Sequence, residues 1–314
     1  MQNFTSVYDV KNIKNLVKLG LKLKANPLKF KKTGLDKTLV LLFFNPSLRT
    51  RLSTQKAALN LGMNVIVMNM TEGWNLEFED GVTMNMDKAE HIREAAKVIS
   101  QYADIIGIRT FPSLADKQKD YADFILNKFI EHSEVPIISL ESAIRHPLQS
   151  LADLITMKEL GKIKKPKVVL SWAPHPRALP QAVANSFAEW VLHSGMNLTI
   201  THPKGYELAA TFTKGATIEY NQTKAFKGAD FIYTKNWSSY EFYGKIIPPD
   251  EDWMITKAKM ALTNNGRFMH CLPVRRNVVV AGEVLDSKYA AVINQANNRT
   301  YAAQAVLKKI LESL

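Results

Sequence analysis

The chain has 314 residues, 46% of them hydrophobic and 22% charged, a composition typical of a soluble globular protein with room for two domains. Its net charge of +12 suits anionic ligands, whether small substrates or nucleic acid. A single cysteine, Cys271, excludes an internal disulfide, and no apolar run approaches the roughly 18 residues of a membrane span. We therefore expect a soluble, cytoplasmic protein that does not associate with membranes.

Short apolar runs alternate with helical patterns through the first half of the chain. Strands are predicted at 39–44, 63–68, 104–109 and 136–140, and helices at 7–23, 52–61, 87–102 and 124–132. Such a repeat predicts a parallel sheet with helices on both faces.

The same alternation resumes after a predicted connecting helix at 148–160. Strands are predicted at 168–172, 198–201, 230–234 and 267–270, and helices at 181–193, 250–259 and 298–314. The expected fold is α/β, with two doubly wound parallel-sheet domains and a cleft between them. The first domain would comprise 1–147, completed by the final helix at 298–314, and the second would comprise 148–297.

The stretch from Asn45 to Arg51 lies where a predicted strand passes into a predicted helix. Such a turn presents free backbone N–H groups and the positive end of the helix dipole. Ser47 and Thr50 add hydroxyl donors, and Arg49 and Arg51 add two guanidinium groups suited to oxyanions. The stretch therefore predicts a phosphate site, and a capped helix with two solvated arginines is the structural alternative.

Polar and charged residues also follow the other predicted strands, where ligands bind in open α/β sheets. Taken singly, each has an ordinary structural explanation, such as a hydrogen-bonded histidine, a solvated lysine or a small buried cysteine. Together they form a set rich in Arg, His and Lys, with one Glu and no metal-ligand cluster, which fits two anionic substrates and a developing oxyanion. The set comprises Arg109, Glu141, His146, Gln149, His175, Arg177, Lys235, His270, Cys271 and Arg275.

Three motifs in this order resemble the aspartate/ornithine carbamoyltransferase family across essentially the whole chain. They are Ser47-Leu-Arg-Thr-Arg51, His146-Pro-Leu-Gln149 and His270-Cys-Leu-Pro273. Two departures from the ornithine enzymes resemble the N-acylornithine branch. Tyr233–Trp237 lies where those enzymes carry an Asp and a Ser-Met-Gly loop, and Arg275-Arg-Asn277 replaces their His-Arg-Gly.

The resemblance implies a role for each matching residue and requires no cofactor or metal. Thr50, Arg109, His146 and Cys271 would be catalytic. Carbamoyl phosphate would be bound by Ser47, Leu48, Arg49, Thr50, Arg109, His146, Gln149, Cys271, Leu272, Arg299 and, from a neighbouring subunit of a homotrimer, Trp74. N-acylornithine would be bound by Glu141, His175, Lys235, Arg275 and Ala89. The Pro174–Pro180 run is similar to the loop through which this branch threads a knotted second domain.

The charge of the acceptor agrees with these departures. An acylated α-nitrogen is neutral, so Lys235 aimed at the α-carboxylate is more suitable than an Asp. Ala89 aligns with a Glu of acetyl-specific enzymes and a Pro of succinyl-specific ones, and alanine removes the repulsion of a succinyl carboxylate. We therefore expect N-succinyl-L-ornithine as the acceptor, with N-succinyl-L-citrulline and phosphate as products in arginine biosynthesis. N-acetyl-L-ornithine is the alternative, because a one-residue shift would place Glu90 at this position.

Other classes of protein are less consistent with the sequence. A nicotinamide dehydrogenase would share the fold, but no G-x-G-x-x-G follows any predicted strand. A nucleic-acid-binding protein would carry a helix-turn-helix, zinc-finger or aromatic RNA-binding motif, and none is found. A non-catalytic anion-binding relative stays open as the more distant alternative.

Overall fold

The computed structural model describes residues 1–70, 74–161, 163–247 and 252–314. It divides into two compact units: unit 1 is Met1–Leu148 with Arg299–Leu314, and unit 2 is Gln149–Asn298. Within the described ranges, no helix combines the length and the apolar character needed to cross a membrane.

The first helix of unit 1 is a 3-10 helix at Val7–Asp9, and longer helices and strands follow it among the described residues. The helices are α1 (Ile13–Ala25), α2 (Leu48–Leu61), α3 (Ile92–Tyr102), α4 (Lys117–Tyr121) and α5 (Phe124–His132). The strands are β1 (Thr38–Phe43), β2 (Asn64–Asn69), β3 (Leu76–Glu77), β4 (Glu90–His91), β5 (Ile105–Arg109) and β6 (Ile137–Glu141).

The main sheet of unit 1 is parallel, with strand order β2-β1-β5-β6. Strand β1 forms at its centre because Leu39 to Phe43 are continuously apolar and fully buried. The strand order reverses between β1 and β5, which is the point where ligands bind in this class of sheet. The loop after β1 and the end of β5 therefore mark the expected ligand site of unit 1.

Unit 2 begins within the helix α6 (Pro147–Leu160), and the return to unit 1 lies within helix α12 (Val292–Leu311). The elements between them are β7 (Lys167–Ala173), α7 (Ala182–His193), β8 (Asn197–Thr201), α8 (Ala210–Thr213), β9 (Thr217–Glu219), α9 (Gln222–Phe226), β10 (Phe231–Asn236), α10 (Lys257–Ala261), β11 (Arg267–Met269) and α11 (Gly282–Leu285).

The sheet of unit 2 is also parallel, with order β11-β10-β7-β8-β9. Its strand order reverses between β7 and β10, so the residues after these two strands occupy the same kind of position as those after β1 and β5. The predicted α/β class with parallel sheets is confirmed. The cleft and the knot stay predictions.

The helix predicted at 7–23 is wrong in its first turns, because local capping divides the segment. The Asp9 carboxylate accepts hydrogen bonds from the backbone N–H groups of Thr5 and Ser6, which confines the first turn to a 3-10 helix. Asn12 then caps α1 by accepting a hydrogen bond from Asn15 N at 2.9 Å. The side-chain caps, and not the apolar spacing, decide where the helix begins.

Two further predicted helices begin later than expected. The helix at 87–102 starts at Ile92, because Glu90–His91 pairs with Leu76–Glu77 as a short parallel strand and the His91 ring caps the helix. The helix at 250–259 starts at Lys257, where Thr256 caps it. Residues 250 and 251 of that prediction lie outside the described residues.

The final helix starts at Val292, six residues before the predicted start at Asn298. Asn298 resembles an N-cap in the sequence, because asparagine is favoured at the residue that caps the start of a helix. In the structure its amide instead donates to Thr156 Oγ1 and Glu159 Oε2, both at 2.9 Å, so it is an interior helical residue with side-chain partners on α6.

Gly62 ends α2 in the left-handed conformation, with φ of 84°, and an added Cβ would lie 2.1 Å from Lys31 O. Gly62→Ala is therefore expected to lower the free energy of unfolding by at least about 2 kcal/mol, combining backbone strain with the clash. Gly81 also has a positive φ, 74°, but a Cβ there would meet no atom within 4 Å. Urea denaturation should show that Gly81→Ala lowers the free energy of unfolding by less than Gly62→Ala does. Equal losses of stability in the two variants would show that the contact with Lys31 O is not the cause.

Candidate active site

Ser47, in the loop after β1, is the N-cap of helix α2. The backbone of Ser47 is extended, and its Oγ accepts a hydrogen bond from Thr50 N at 3.3 Å. Helix α2 therefore begins at Leu48, so Arg49 and Thr50 lie in the first turn and not before it. The remaining N–H groups of this turn and the helix dipole favour an anion here.

Arg51 differs from its neighbours because its guanidinium already has partners within unit 1. It lies 4.7 Å from the centroid of the Phe43 ring and donates to Asn69 Oδ1. Arg49 is partly exposed and Leu48 is exposed. Of the two arginines in the motif, Arg49 is thus the one available to an incoming anion.

Arg109 ends β5 and is held against the same loop. Its Nη1 donates to Asn45 O at 3.2 Å and Pro46 O at 3.0 Å, and its Nη2 donates to Glu141 Oε2 at 2.8 Å. Its Nε is buried and makes no hydrogen bond among the described residues. The side chain both fixes the loop and keeps one donor for a ligand.

Glu141, His146 and Arg299 continue this cluster. His146 Nε2 lies 3.8 Å from Glu141 Oε2 and 3.4 Å from Arg299 Nη1. Arg299 Nη2 donates to Thr50 Oγ1 at 2.6 Å, which joins α12 to the first turn of α2. We call Thr50, Arg109, Glu141, His146 and Arg299 the unit 1 cluster. All five are buried.

In unit 2, the loop after β7 brings His175 to Arg275. Arg275 Nε donates to His175 Nε2 at 3.3 Å, so the ring proton lies on Nδ1, which donates to Arg177 O at 2.8 Å. Burial lowers the pKa of His175, as do the charges of Arg275, Lys235 and Arg177, although the hydrogen bond to Arg177 opposes this. The imidazole is therefore neutral at neutral pH and acts as a hydrogen-bonding group among cations.

Lys235 and Cys271 meet at the ends of β10 and β11. Lys235 is buried, and its Nζ donates to Cys271 Sγ at 3.6 Å. The next residue, Leu272, has φ of 59°, and its N–H donates to His270 Nδ1 at 2.9 Å. A left-handed leucine costs about 1–3 kcal/mol, so this turn is held by its surroundings in a conformation that points to a functional role.

Two buried residues that the sequence did not single out support this part of unit 2. Asp153 Oδ1 accepts hydrogen bonds from Gln149 Nε2 at 2.7 Å and Gln295 Nε2 at 2.9 Å. Gln295 Oε1 in turn accepts from His270 N at 2.8 Å. Asp153 thus connects Gln149 to the strand end that carries Cys271. The available signal was an acidic residue between the apolar pairs Leu151-Ala152 and Leu154-Ile155 of α6.

Trp74 and Ala89 lie together on an exposed part of unit 1. Trp74 is 52% exposed, and its indole N–H donates to Glu90 Oε2 at 3.0 Å. Ala89 is exposed and its N–H donates to Asn75 O at 2.9 Å. The Glu90 carboxylate therefore accepts a hydrogen bond from the Trp74 indole, and Ala89 is the residue that precedes Glu90 in the chain.

The two units thus offer different chemistry. In unit 1, the arginines 49, 109 and 299 exceed the charge of Glu141 and surround a helix N-terminus, an arrangement that fits a phosphate and a developing oxyanion. In unit 2, Lys235, His175 and Arg275 combine two positive charges with a neutral imidazole, which fits a carboxylate-bearing ligand. The individual roles implied by the family resemblance stay predictions.

Family models match both parts of the chain. The model for the carbamoyl-phosphate-binding domain of aspartate/ornithine carbamoyltransferases matches residues 2–159. The model for the aspartate/ornithine-binding domain of the same enzymes matches residues 180–310.

Individual relatives and structures are similar over nearly the full length. N-succinylornithine carbamoyltransferase of Bacteroides fragilis is 52% identical, with all of both chains covered. N-acetylornithine carbamoyltransferase of Xanthomonas campestris is 36% identical over 88% of this chain and 87% of its own. The fold also matches a crystal structure of N-acetyl-L-ornithine transcarbamylase in which one glutamate is replaced by alanine, complexed with carbamyl phosphate and N-succinyl-L-norvaline. Its TM-score is 0.92 and its identity 34%, with 99% and 100% of the two chains covered.

Proposed function

This chain belongs to the aspartate/ornithine carbamoyltransferase family, and on that basis we propose that it transfers the carbamoyl group of carbamoyl phosphate to the δ-amine of N-succinyl-L-ornithine. The products would be N-succinyl-L-citrulline and inorganic phosphate. The observation that carries the proposal is the unit 1 cluster, in which buried arginines converge with His146 on the first turn of α2.

Carbamoyl phosphate would bind to unit 1 through its phosphate. The first turn of α2 supplies N–H groups, Ser47 and Thr50 supply hydroxyls, and Arg49 and Arg109 supply guanidinium groups. Arg299 already donates to Thr50, so binding of the anion would add a third partner to an existing pair. Gln149 and the backbone at Cys271 and Leu272 would contact the carbamoyl end, and a neighbouring subunit would contribute Trp74.

N-succinylornithine would bind through its carboxylates. Lys235 would pair with the α-carboxylate, and the neutral acyl nitrogen requires no acidic partner. His175 and Arg275 are already joined by a hydrogen bond and would face the acyl part, with Arg177 beside them. Glu141 is a further predicted contact, and its carboxylate is already bound by Arg109.

The transfer would be direct, without a covalent enzyme intermediate. The free δ-amine attacks the carbamoyl carbon, a C–N bond forms, and the carbon–oxygen bond to phosphate breaks. Arg109, Thr50 and His146 would stabilise the oxyanion that develops on the carbonyl oxygen. An amine of this type has a reference pKa of about 10.4 and loses one proton before attack. We propose that the departing phosphate takes the second.

The choice of succinyl over acetyl rests on Ala89. A glutamate would repel the terminal carboxylate of a succinyl group, and alanine removes that charge. The related transcarbamylase in which a glutamate is replaced by alanine was crystallised with N-succinyl-L-norvaline, which supports this assignment. The hydrogen bond between Glu90 and Trp74 is consistent with it, because that carboxylate already has a partner.

The proposal is tested by following ureido-product formation from carbamoyl phosphate with three acceptors in parallel: ornithine, N-acetylornithine and N-succinylornithine. Preference for the succinyl compound is expected. Preference for the acetyl compound would keep the reaction and overturn the role of Ala89. Binding of carbamoyl phosphate without turnover of any acceptor would favour a non-catalytic relative.

Ala89→Glu is expected to lower kcat/KM for N-succinylornithine relative to N-acetylornithine by about 10- to 100-fold, because it places like charges together. The measurement is the ratio of kcat/KM for the two acceptors. Met86→Glu adds the same charge to an 84% exposed position of the same segment and serves as the matched control. An unchanged ratio in Ala89→Glu, or an equal change in Met86→Glu, would contradict the assignment.

We further propose that the protein is a cytoplasmic homotrimer that acts in arginine biosynthesis and has a knotted second domain. The exposed Trp74 supports a site shared between subunits, and the resemblance of Pro174–Pro180 to the threaded loop supports the knot. Light scattering should give three times the monomer mass. A monomeric, fully active enzyme would exclude shared sites, and an experimental chain trace that straightens when its ends are pulled would exclude the knot.

A further inference from the structure

Four residues separate Glu141 from His146, and they form a buried turn whose partners come from elsewhere in unit 1. Ser142 is fully buried and its N–H donates to Arg145 O at 2.7 Å, which closes the turn. Ser142 Oγ accepts from Arg145 N at 3.2 Å. The conformation of this turn therefore sets the separation between the Glu141 carboxylate and the His146 ring, now 3.8 Å.

The turn is anchored by Asp123, which lies just before α5. One carboxylate oxygen of Asp123 accepts from Ser142 Oγ at 2.7 Å and the other accepts from Ala143 N at 3.0 Å. Asp123 is itself buried and has a left-handed backbone, with φ of 51°. A buried carboxylate in a strained backbone is unfavourable unless both oxygens have partners, and here the turn supplies those partners.

We propose that Asp123 is a positioning residue for carbamoyl transfer: its carboxylate fixes the turn Ser142–Arg145 and thereby holds Glu141 and His146 in register with Arg109 and Arg299. This inference rests on the proposed function of the unit 1 cluster and adds a residue that supports the cluster without belonging to it. Asp123 touches none of the reacting groups and acts through the turn.

The ionised form of Asp123 is the one that fits the turn. Ser142 Oγ already accepts from Arg145 N, so its own proton is directed to Asp123. A protonated carboxyl group would turn one of its two oxygens into a donor, so either Ser142 Oγ–H or Ala143 N–H would lose its acceptor. Burial raises the pKa of Asp123 to about 6, as does the charge of Asp120, while the hydrogen bonds from Ser142 and Ala143 and the charge of Arg145 oppose this.

The raised pKa of Asp123 makes both the stability of the fold and the rate of the reaction depend on pH. Because the folded pKa lies above the unfolded one, the folded state holds the proton more tightly between about pH 4 and 6, so this group's contribution to stability falls as pH rises through that range and is constant above it. The ionised form that fits the turn is then lost as pH falls through about 6. We expect this group to contribute an acid limb to the rate near that pH.

The test compares Asp123→Asn with the wild-type enzyme. The asparagine has the same shape, but its amide has a single acceptor oxygen, so either Ser142 Oγ–H or Ala143 N–H faces the NH2 group at every pH. We expect KM for carbamoyl phosphate to rise about tenfold at pH 8, where Asp123 is ionised in the wild type, because one charge-assisted hydrogen bond is lost. The wild-type acid limb near pH 6 should disappear from the pH profile of the variant.

Two further variants keep the test independent of folding. Ser142→Ala removes the same hydrogen bond from the other side, so its effect on KM should not add to that of Asp123→Asn in the double variant. Asp104→Asn is the matched structural control: Asp104 accepts from Thr38 N and Lys37 Nζ, both at 2.8 Å, at the opposite end of the same sheet. It should lower thermal stability and leave KM unchanged.

Binding of carbamoyl phosphate, followed by the shift in thermal unfolding temperature, separates this inference from the proposed function. If the wild-type enzyme carbamoylates its acceptor but Asp123→Asn keeps the wild-type KM and acid limb, the positioning role is wrong. If no acceptor is carbamoylated but Asp123→Asn weakens the thermal shift, the proposed function is wrong and the positioning of the anion site stands. Additive effects of the Asp123 and Ser142 changes would also overturn the inference.

Discussion

Arg109→Met is expected to reduce kcat/KM by at least about 10³-fold, because the guanidinium would stabilise charge that develops in the transition state. It should also destabilise unit 1 by about 3–5 kcal/mol, since the buried Glu141 carboxylate loses its guanidinium partner. Steady-state kinetics and urea denaturation measure the two effects separately.

A second change separates the structural role of Arg109 from its role in binding. Combining Arg109→Met with Glu141→Gln removes both charges of the buried pair, and much of the lost stability should return while carbamoyl-phosphate binding does not. Arg93→Met breaks an exposed ion pair with Asp80 in the same unit. This control variant should change stability and carbamoyl-phosphate binding only slightly. Recovery of binding in the double variant would show that Arg109 acts through the fold alone.

Lys235→Met should raise KM for the acceptor about 10- to 100-fold, the loss expected for a hydrogen bond to a charged group. KM for carbamoyl phosphate should change less, because the proposed contacts to its phosphate are in unit 1. Lys235 is buried beside Cys271, and methionine has a similar length and suits a sulfur neighbour. The variant therefore removes the charge with little change in packing.

The partner of Lys235 is identified by changing the acceptor. N-succinylputrescine is the same acceptor without its α-carboxylate, so wild type and Lys235→Met should use it with similar kcat/KM if the lysine pairs with that group. Lys224→Met removes a lysine whose side chain is 74% exposed and paired with Glu219, and it serves as the matched control. A large difference between wild type and Lys235→Met on N-succinylputrescine would assign the lysine another role.

The amino-acid sequence by itself predicted the strands of both sheets to within a few residues, except for β9 (Thr217–Glu219), which it missed. Buried parallel strands such as Thr38–Phe43 are continuous apolar runs, and this is a local property of the chain. The motifs at 47–51, 146–149 and 270–273 also follow from local residue order. Helix starts were less predictable, because Asn12, His91 and Thr256 become caps only once the chain around them is folded.

Only the tertiary structure decided which buried groups meet. Arg299 donates to Thr50 across 249 residues of sequence, and Asp123 reaches Ser142 across 19. Sequence patterns report local propensity and the average burial of a segment. They do not report which donor is left facing which acceptor when two elements pack, and in a buried site each polar group must find such a partner. For this reason the sequence identified the family and predicted candidate site residues, whereas the pairing of Glu141 with Arg109 and the hydrogen bonds of Asp123 and Asp153 emerged only from the fold.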